Sequence, residues 1–451
     1  MRIATKIFIS LFIVYAFYTN FYLTTNDAPR FSLTAALVEE HRLEIDSFFN
    51  KTLTPPGWNK NATIWNGIDY AVYNGHIYSD KAPLGSFLAV PVYFAIRLFT
   101  SNIGFLSYFC SIFVSGTLTA LTAVLIYSGG KYFTKDENLR ILCAFAYGLG
   151  TISLTYGTIF FSHAATTFFE FAAFYILYAV KRRTLGDKYL YAAGLFAGLG
   201  ILSDYYAALI GVCLLFYCFT FSKKNTIKFF IPFILVIGLM SLYHYAVFND
   251  PLTFPQHFHG TFKERHEKGF YGITGIHTDA VYGLSFSPQR GLFFYNPVLI
   301  LSLLLLGRFY RKHKTEAILI AIVSISVFLF NASYDDWKTG ISIGPRYLCP
   351  IIPFLILPMF ELKNNAKERI LFGILLVISI TENFLYVNSR MNIKETNIFG
   401  FIFEVPAIPN ASNALDQLLL QYGTVFQYSI PLLIILFFAV WSKEIYKAVS
   451  K

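Results

Sequence analysis

Charged residues that flank apolar segments are the parts of this sequence best placed to carry out chemistry. Asp27 directly follows the first apolar run, Arg30 lies three residues further on, and Asp80 and Lys81 precede the apolar stretch 84–100. Because lipid makes charge costly, charge retained at its edge is usually functional. A carboxylate there can take a proton from an acceptor hydroxyl, and a cation can bind a phosphate. We therefore predict Asp27 and Asp80 as catalytic residues and Lys81 and Arg30 as phosphate ligands.

Simpler roles remain open for the same residues. Asp27 could be an ordinary carboxylate at a helix end, and Asp80 could cap the next helix or orient Lys81. Lysines near helix ends often extend to the membrane interface without binding anything. A lipid-linked phosphate is the ligand that suits Lys81 best, because its tail could lie against the segment 84–100.

Two further arginines stand where later apolar spans begin. Arg290 lies within 287–291, and Arg346 lies within 344–347, just after an acidic segment that contains a tryptophan. A guanidinium can bind two phosphate oxygens at once, so we predict both as phosphate ligands. The alternative is ordinary anchoring at the membrane interface.

Polar residues near the ends of other spans are predicted to line a substrate cavity. His163 and Asp204 lie at the tips of helical hairpins, although a lone loop histidine is more often structural. Glu170 lies about two turns inside a span, where a carboxylate is functional by default. The predicted cavity residues are His163, Glu170, Asp204, Asp335, Asp336 and Tyr347.

Metal and cofactor motifs are weak in this chain. Five of the histidines lie between positions 244 and 277, but their spacing matches no strong zinc signature. The 5 cysteines lie in apolar stretches and are expected to be small core residues. We predict that no cofactor is required and no metal is bound, with a divalent ion as the open alternative.

The composition is that of a polytopic membrane protein. Of the 451 residues, 55% are apolar and only 14% are charged. Runs of roughly 17–25 apolar residues, each long enough to cross a bilayer as a helix, recur along the chain. We predict one all-α domain over 1–451 with about twelve transmembrane helices, within a range of 11–13. The spans fall near 6–24, 103–127, 139–158, 165–181, 189–202, 205–221, 226–248, 291–307, 315–333, 347–360, 370–388 and 426–442.

The basic residues indicate how these spans are oriented. The formal net charge of +10 is concentrated in short clusters between spans, which argues for topology rather than nucleic-acid binding. If 84–100 is an interfacial helix, every cluster falls on the cytoplasmic side. Both termini are then cytoplasmic, in a cell inner or plasma membrane. The long loops 25–102, 249–290, 334–346 and 389–425 face outward, and the first of them carries the interfacial helices.

At these residues the chain resembles the GT-C superfamily of integral-membrane glycosyltransferases. It is most similar to the branch of protein O-mannosyltransferases and lipid A aminoarabinose transferases. That branch carries an Asp-Glu-x-Arg-Tyr-like motif, which matches 27–31 here with Ala28 in place of the second acid. Its Lys-Pro-Pro-Leu-like motif matches 81–84, and bacterial members also resemble the chain at 290–293 and 344–347. Because the second acid is missing, Asp46 is an alternative base.

The resemblance implies a hexosyl or pentosyl transferase of the cell envelope. Its donor would be a polyprenyl-phosphate-linked sugar, and its acceptor an extracytoplasmic lipid, glycan or protein. The expected reaction is one displacement with inversion, in which Asp27 takes the acceptor proton while Lys81 and Arg346 stabilise the departing phosphate. A polytopic transporter or lipid-linked sugar flippase is the competing interpretation. It would explain Glu170 and Asp204 as charges along a transport pathway.

Overall fold

The computed structural model is mostly helical. It describes residues 2–19, 21, 23–48, 69–340, 342–389, 436, 437 and 439–442. Most of the predicted loop 389–425 and of the predicted span 426–442 therefore lies outside the described residues. The α-helices are α1 (Ile3–Tyr18), α2 (Ala28–Glu39), α3 (Leu84–Arg97), α4 (Ile103–Ser111), α5 (Thr117–Gly130), α6 (Glu137–Leu149), α7 (Ser153–Tyr156), α8 (Ser162–Lys181), α9 (Leu190–Ser203), α10 (Ala208–Phe221), α11 (Thr226–Phe248), α12 (Lys263–Glu267), α13 (Thr278–Ser285), α14 (Leu292–Tyr295), α15 (Leu299–Lys312), α16 (Lys314–Ala332), α17 (Ile352–Ile356) and α18 (Ala366–Ser389).

Five of the described helical segments are long and apolar enough to cross a membrane. This confirms an integral membrane protein built from helices, while the number of about twelve spans stays a prediction. The predicted span 347–360 is irregular, because prolines remove backbone donors. It consists of two 3-10 segments with the short α17 between them. The five segments are Ile103–Gly130, Ser162–Lys181, Lys223–Phe248, Lys314–Ala332 and Ala366–Val387.

The segment predicted as an interfacial helix is helical, as α3. Its 14 residues give a length of about 21 Å at 1.5 Å per residue, which is too short to cross a hydrocarbon core of about 30 Å. Ala89 and Tyr93 are buried on the side that packs against α2 and α4, whereas Phe94 and Leu98 are exposed. An apolar face left exposed in this way suits a helix that lies against lipid.

A small β-hairpin in the first long loop departs from the all-α expectation. Strands β1 (Ala71–Tyr73) and β2 (His76–Tyr78) pair antiparallel, with Ala71 opposite Tyr78. Asn74 and Gly75 form the turn, and both have positive φ angles of 48° and 82°. Asn-Gly is the residue pair that this kind of two-residue turn prefers. The hairpin brings the residues just outside its two strands together.

Close packing of α8, α9 and α11 positions the residues at one end of the bundle. Small residues let the helices approach: a Cβ on Gly194 of α9 would lie 1.9 Å from the carbonyl oxygen of Phe229 in α11. Membrane helices commonly use small residues in this way, since lipid provides little hydrophobic drive for their association. The start of α8 and the end of α9 consequently meet beside the first loop.

Candidate active site

A cavity of about 710 Å³ collects residues from widely separated parts of the chain. Its wall contains segments of the first loop, the start of α8, the end of α9, the loop after α11 and the loop before α17. Sequence-predicted residues that line it are Arg30, Asp80, Lys81, His163, Asp204, Asp336, Arg346 and Tyr347. The structure thus brings together eight of the residues that the sequence singled out.

Lys81 is held between two carboxylates. Its Nζ lies 3.0 Å from Asp69 Oδ2 and 2.6 Å from Asp80 Oδ2. The hairpin explains the arrangement, because continuing its register outward from the pair Ala71–Tyr78 places Asp69 opposite Asp80. Two facing carboxylates repel each other, so the ammonium between them is required. Burial favours the neutral amine, but Asp69 and Asp80 outweigh it and raise the pKa of Lys81 above its ordinary value.

His259 joins the same cluster from the loop after α11. Its Nε2 lies 3.7 Å from Asp80 Oδ2, and a β-bridge pairs its backbone with Ala71. Its Nδ1 accepts hydrogen bonds from the backbone N–H groups of Thr261 and Phe262, at 3.2 and 3.0 Å. An imidazole that accepts at Nδ1 carries its proton on Nε2, so Nε2 faces Asp80 as a donor.

The cluster of Asp69, Asp80 and His259 is compact enough to hold a metal ion, with ligand atoms within 4.8 Å of one another. Its donor chemistry does not fit one. A histidine that binds metal needs a free lone pair and usually donates its other N–H outward, the reverse of the arrangement at His259. The ammonium of Lys81 also already lies between the two carboxylates and pairs with both. The geometry therefore suits an ammonium better than a divalent cation.

Arg30 and Arg346 converge on one aromatic ring although 316 positions separate them. Their guanidinium carbons lie 5.9 and 6.0 Å from the centre of the Phe161 ring. Arg30 donates from Nη1 to Asn26 and from Nη2 to Ser162 Oγ. The Nε atoms of both arginines are buried and have no hydrogen-bond partner among the described residues. Two like charges with unused donors form a site prepared for an anion.

The loop before α17 places Arg346. Gly344 adopts φ +61°, and a Cβ there would lie 3.0 Å from Ile152 and 3.2 Å from the ring of Tyr295, so glycine is needed for both conformation and space. Arg290 does not line the cavity; it holds the residues that precede Arg346. Its guanidinium donates to the backbone carbonyls of Lys338, Gly340 and Ser342, besides that of Gln289. With these donors engaged, Arg290 braces the loop that carries Arg346.

Asp27, the predicted base, lies behind the cavity wall. It is 3% exposed, and its Oδ1 accepts hydrogen bonds from the backbone N–H and the hydroxyl of Thr24. It precedes the first turn of α2, which carries Arg30. Burial raises the pKa of Asp27 to about 6, against the opposing hydrogen bonds of Thr24. Asp27 is not among the residues that line the cavity.

Three other predicted acids lie away from the cavity as well. Glu170 is fully buried in α8, faces Gly200 of α9, and neither carboxylate oxygen has a hydrogen-bond partner within the described residues. Asp335 pairs with Lys268 at 3.1 Å. Asp46, the alternative base, is on the surface and accepts a hydrogen bond from the backbone N–H of Ile77.

Asp204 lines the cavity and directly follows the end of α9. Its Oδ2 accepts a hydrogen bond of 2.7 Å from Ser162 Oγ, and His163 Nδ1 lies 3.9 Å away. Asp336 also faces the cavity, but it pairs with Arg265 at 2.7 Å. The sequence had predicted both carboxylates for the cavity, although not their different partners.

Several cavity residues escaped the sequence reasoning. Asp69 was missed, yet the Asn74-Gly75 turn signal and the hairpin register it implies would have placed this residue opposite Asp80. Ser162 was passed over beside His163. The others come from the loop after α11, where the histidine spacing carried no recognisable motif; they are Gln256, His259, Arg265 and His266.

Comparisons with known proteins bear on the fold. No family model and no curated protein matches the chain. The apo structure of the Archaeoglobus fulgidus oligosaccharyltransferase aligns with a TM-score of 0.51 and 12% identity, covering 93% of this chain and 56% of its own. The same enzyme tethered to an acceptor peptide gives 0.50 and 12%, over 93% and 55%. ArnT from Cupriavidus metallidurans, bound to undecaprenyl phosphate, gives 0.49 and 14%, over 96% and 76%.

The chain spans little more than half the length of the archaeal oligosaccharyltransferase. At such low identity the likeness concerns the course of the backbone and not the activity. It extends over nearly the whole of this chain. It agrees with the motifs at 27–31 and 81–84, which pointed to the same superfamily. The protein therefore has the fold of the GT-C glycosyltransferases, a class of polytopic membrane enzymes.

Proposed function

We propose that the protein is a membrane glycosyltransferase of the cell envelope, which moves a sugar from a polyprenyl-phosphate donor to a lipid, glycan or protein acceptor. The observation that carries the proposal is the convergence of Arg30, Lys81 and Arg346 on one cavity. A buried donor without a partner costs about 1–3 kcal/mol, and the Nε atoms of both arginines are such donors. A phosphate, with several acceptor oxygens and negative charge, would satisfy both.

Lys81 can take part without leaving its carboxylates. An ammonium has three N–H donors, and Asp69 and Asp80 accept two of them. The third has no partner among the described residues and is available to a phosphate oxygen. Lys81 also lies just before α3, so a phosphate bound here would be within reach of the membrane surface.

The apolar surroundings of the cavity suit a lipid-linked donor. Leu84 at the start of α3 belongs to an apolar cluster with Ala165, Phe169, Leu202 and Val236. These residues come from α3, α8, α9 and α11. This cluster is buried and holds α3 in place; a polyprenyl chain attached to a phosphate beside Lys81 could lie against the apolar side of α3, where Phe87 and Phe94 are 37% and 57% exposed, while the sugar points into the polar cavity.

In the proposed reaction, the acceptor attacks the anomeric carbon of the sugar and the bond to the phosphate oxygen breaks. Arg30, Lys81 and Arg346 stabilise the charge that develops on the leaving phosphate, and a cavity carboxylate takes the acceptor proton. Electrostatic stabilisation of this kind is commonly the largest contribution to catalysis. One displacement of this type inverts the configuration at the anomeric carbon.

We further propose that the cavity opens on the extracytoplasmic side of an inner or plasma membrane, with both termini cytoplasmic. The distribution of basic residues supports this orientation. Helix α8 runs from Ser162 at the cavity to Lys181, which begins the cluster 181–183, and α15 ends in the cluster 308–314. Basic clusters thus lie at helix ends opposite the cavity, and such clusters favour the cytoplasm.

The proposal is tested by replacing Arg346 with alanine. Purified protein in lipid nanodiscs is incubated with a panel of radiolabelled polyprenyl-phosphate hexoses and pentoses and with a membrane extract as acceptor. We expect Arg346→Ala to lower kcat/KM by roughly 100-fold, because it removes a charged donor from the leaving group. The matched control is Arg97→Ala, which removes an arginine that is 40% exposed and pairs with Glu39 at the end of α3.

Two outcomes would reject the proposal. The first is wild-type protein, correctly inserted, that transfers no sugar from any donor. The second is transfer by Arg346→Ala at the rate of the Arg97→Ala control. Binding of undecaprenyl phosphate, measured separately by isothermal titration, should weaken in Arg346→Ala and not in the control.

A further inference from the structure

We propose that Asp204 is the general base of the cavity, the group that takes the proton from the attacking acceptor; this assignment rests on the proposed function. Asp204 follows α9 with an extended backbone, at φ −159° and ψ 127°, and its side chain lines the cavity while 20% exposed. It is thus reachable by an acceptor and still largely shielded from solvent.

The hydrogen bonds around Ser162 define the state of Asp204. Arg30 Nη2 lies 3.2 Å from Ser162 Oγ, and a guanidinium can only donate. Ser162 must therefore accept from Arg30, which leaves its single hydroxyl proton to be donated to Asp204 Oδ2, 2.7 Å away. This arrangement makes Oδ2 an acceptor and favours the ionised form of Asp204. It leaves Oδ1 without a hydrogen-bond partner among the described residues.

The other carboxylates in the cavity wall are already paired with cationic side chains. Asp69 and Asp80 share the ammonium of Lys81, and Asp336 pairs with the guanidinium of Arg265. A carboxylate that forms an ion pair at close range is a poor proton acceptor, because protonation would break the pair. Asp204 has no cationic side chain of lysine or arginine in direct contact within the described part of the chain.

One hydroxyl separates Asp204 from the phosphate-binding cations. Through Ser162, its carboxylate adjoins Arg30, whose guanidinium shares the Phe161 ring with that of Arg346. Asp204 therefore lies close to the phosphate-binding cations, within reach of an acceptor that approaches a sugar bound beside them.

The proposed step balances without another reactant. A lone pair on the acceptor oxygen or nitrogen forms the new bond to the anomeric carbon. The bond from that carbon to the phosphate oxygen breaks, and its electron pair stays on the phosphate. The acceptor proton moves to Oδ1 of Asp204 and later leaves to solvent through the open cavity.

The pH dependence of the rate offers a readout specific to this role. Burial raises the pKa of Asp204 above its ordinary value, while the hydrogen bond from Ser162 and the charge of Arg30 lower it in part. A base must be ionised, so the rate should rise with pH through this elevated pKa. The titratable and charged groups that face Asp204 are Arg30, Lys81, His163, Tyr205, Tyr206 and Arg346.

The experiment compares Asp204→Asn, Ser162→Ala and wild type in the transfer assay from about pH 4 to 9. We expect Asp204→Asn to lower kcat by roughly 10²–10⁴-fold, the usual range for a lost general base. Binding of undecaprenyl phosphate should stay within about twofold of wild type, because that variant leaves the phosphate ligands in place. Asp204→Glu keeps a carboxylate and should recover part of the rate.

Ser162→Ala removes the hydrogen bond that lowers the pKa of Asp204. The acid limb of its pH–rate profile should therefore move to higher pH, whereas His163→Gln should leave the limb in place. The matched control for the charge change is Asp250→Asn, which alters an exposed carboxylate in the loop after α11.

Each contrary result has its own meaning. A wild-type kcat in Asp204→Asn, or an acid limb that Ser162→Ala does not move, would overturn the assignment while the transferase itself stands. A loss of 100-fold in Asp27→Asn but not in Asp204→Asn would transfer the role to Asp27. If Asp204→Asn abolishes undecaprenyl phosphate binding, Asp204 only positions Arg30. If wild type transfers no sugar, the proposed function fails and this inference with it.

Discussion

Replacing Lys81 with methionine should separate the structural from the chemical role of this residue. Methionine preserves most of the side-chain volume but removes the charge between Asp69 and Asp80. The two carboxylates, whose side chains are 14% and 3% exposed, would then face each other without a cation. Removing one partner of a buried ion pair costs about 3–5 kcal/mol, because it leaves uncompensated charge. With an unfolding entropy of about 2.1 cal/mol/K per residue, the melting temperature should fall by roughly 4 °C.

The loss of stability in Lys81→Met should depend on pH in a defined direction. Burial alone would raise the pKa of Asp69, but the ammonium of Lys81 outweighs it and holds that pKa below its ordinary value. In wild type, Asp69 therefore contributes stability that is present above its unfolded-state pKa and is lost as pH falls through the folded value. The difference in melting temperature between Lys81→Met and wild type should thus be largest near neutral pH and shrink below about pH 4.

A double variant distinguishes the two roles. Adding Asp69→Asn to Lys81→Met removes one of the opposed charges, so most of the lost stability should return. Sugar transfer and undecaprenyl phosphate binding should not return, because the third N–H of Lys81 is still missing. The assays are thermal unfolding of nanodisc samples at several pH values and the labelled transfer reaction. An unchanged melting temperature in Lys81→Met, or restored activity in the double variant, would refute the reasoning.

Three further outcomes follow from the structure. EDTA should leave the transfer rate within about twofold of untreated enzyme, since the ammonium of Lys81 lies where a divalent metal ion would bind. Loss of activity that Mn²⁺ restores would contradict this. In intact cells, a membrane-impermeant maleimide should label His76→Cys at the hairpin but not Lys188→Cys at the opposite helix ends, and the reverse pattern would invert the topology. Arg290→Met should leave several backbone carbonyls of the loop before Arg346 unpaired and should lower the melting temperature. Because Arg346 would then be misplaced, kcat/KM should fall roughly 10-fold. Unchanged kinetics would show that the loop keeps its conformation without Arg290.

Much of the candidate site could be predicted, because charge next to an apolar run is visible in one dimension. Lys81, Arg30 and Arg346 were selected on that ground, and all three line the cavity. The same criterion selected Arg290 and Asp27, whose side chains are engaged elsewhere. A position beside a membrane edge does not reveal which way a side chain points or whether it is already hydrogen-bonded to backbone groups.

The apolar runs and the basic clusters between them were enough to predict a helical membrane protein. Whether a segment enters lipid depends on the hydrophobicity of its own residues, and that is a local property of the sequence. The short helix α3 was also readable in this way, and its position at the membrane interface stays a prediction. Only the tertiary structure decided that Asp69 faces Asp80 across a hairpin, that His259 presents a donor, and that Ser162 links Arg30 to Asp204. Those relations depend on distances of a few ångströms between residues far apart in sequence, and such distances are set by packing rather than by local composition.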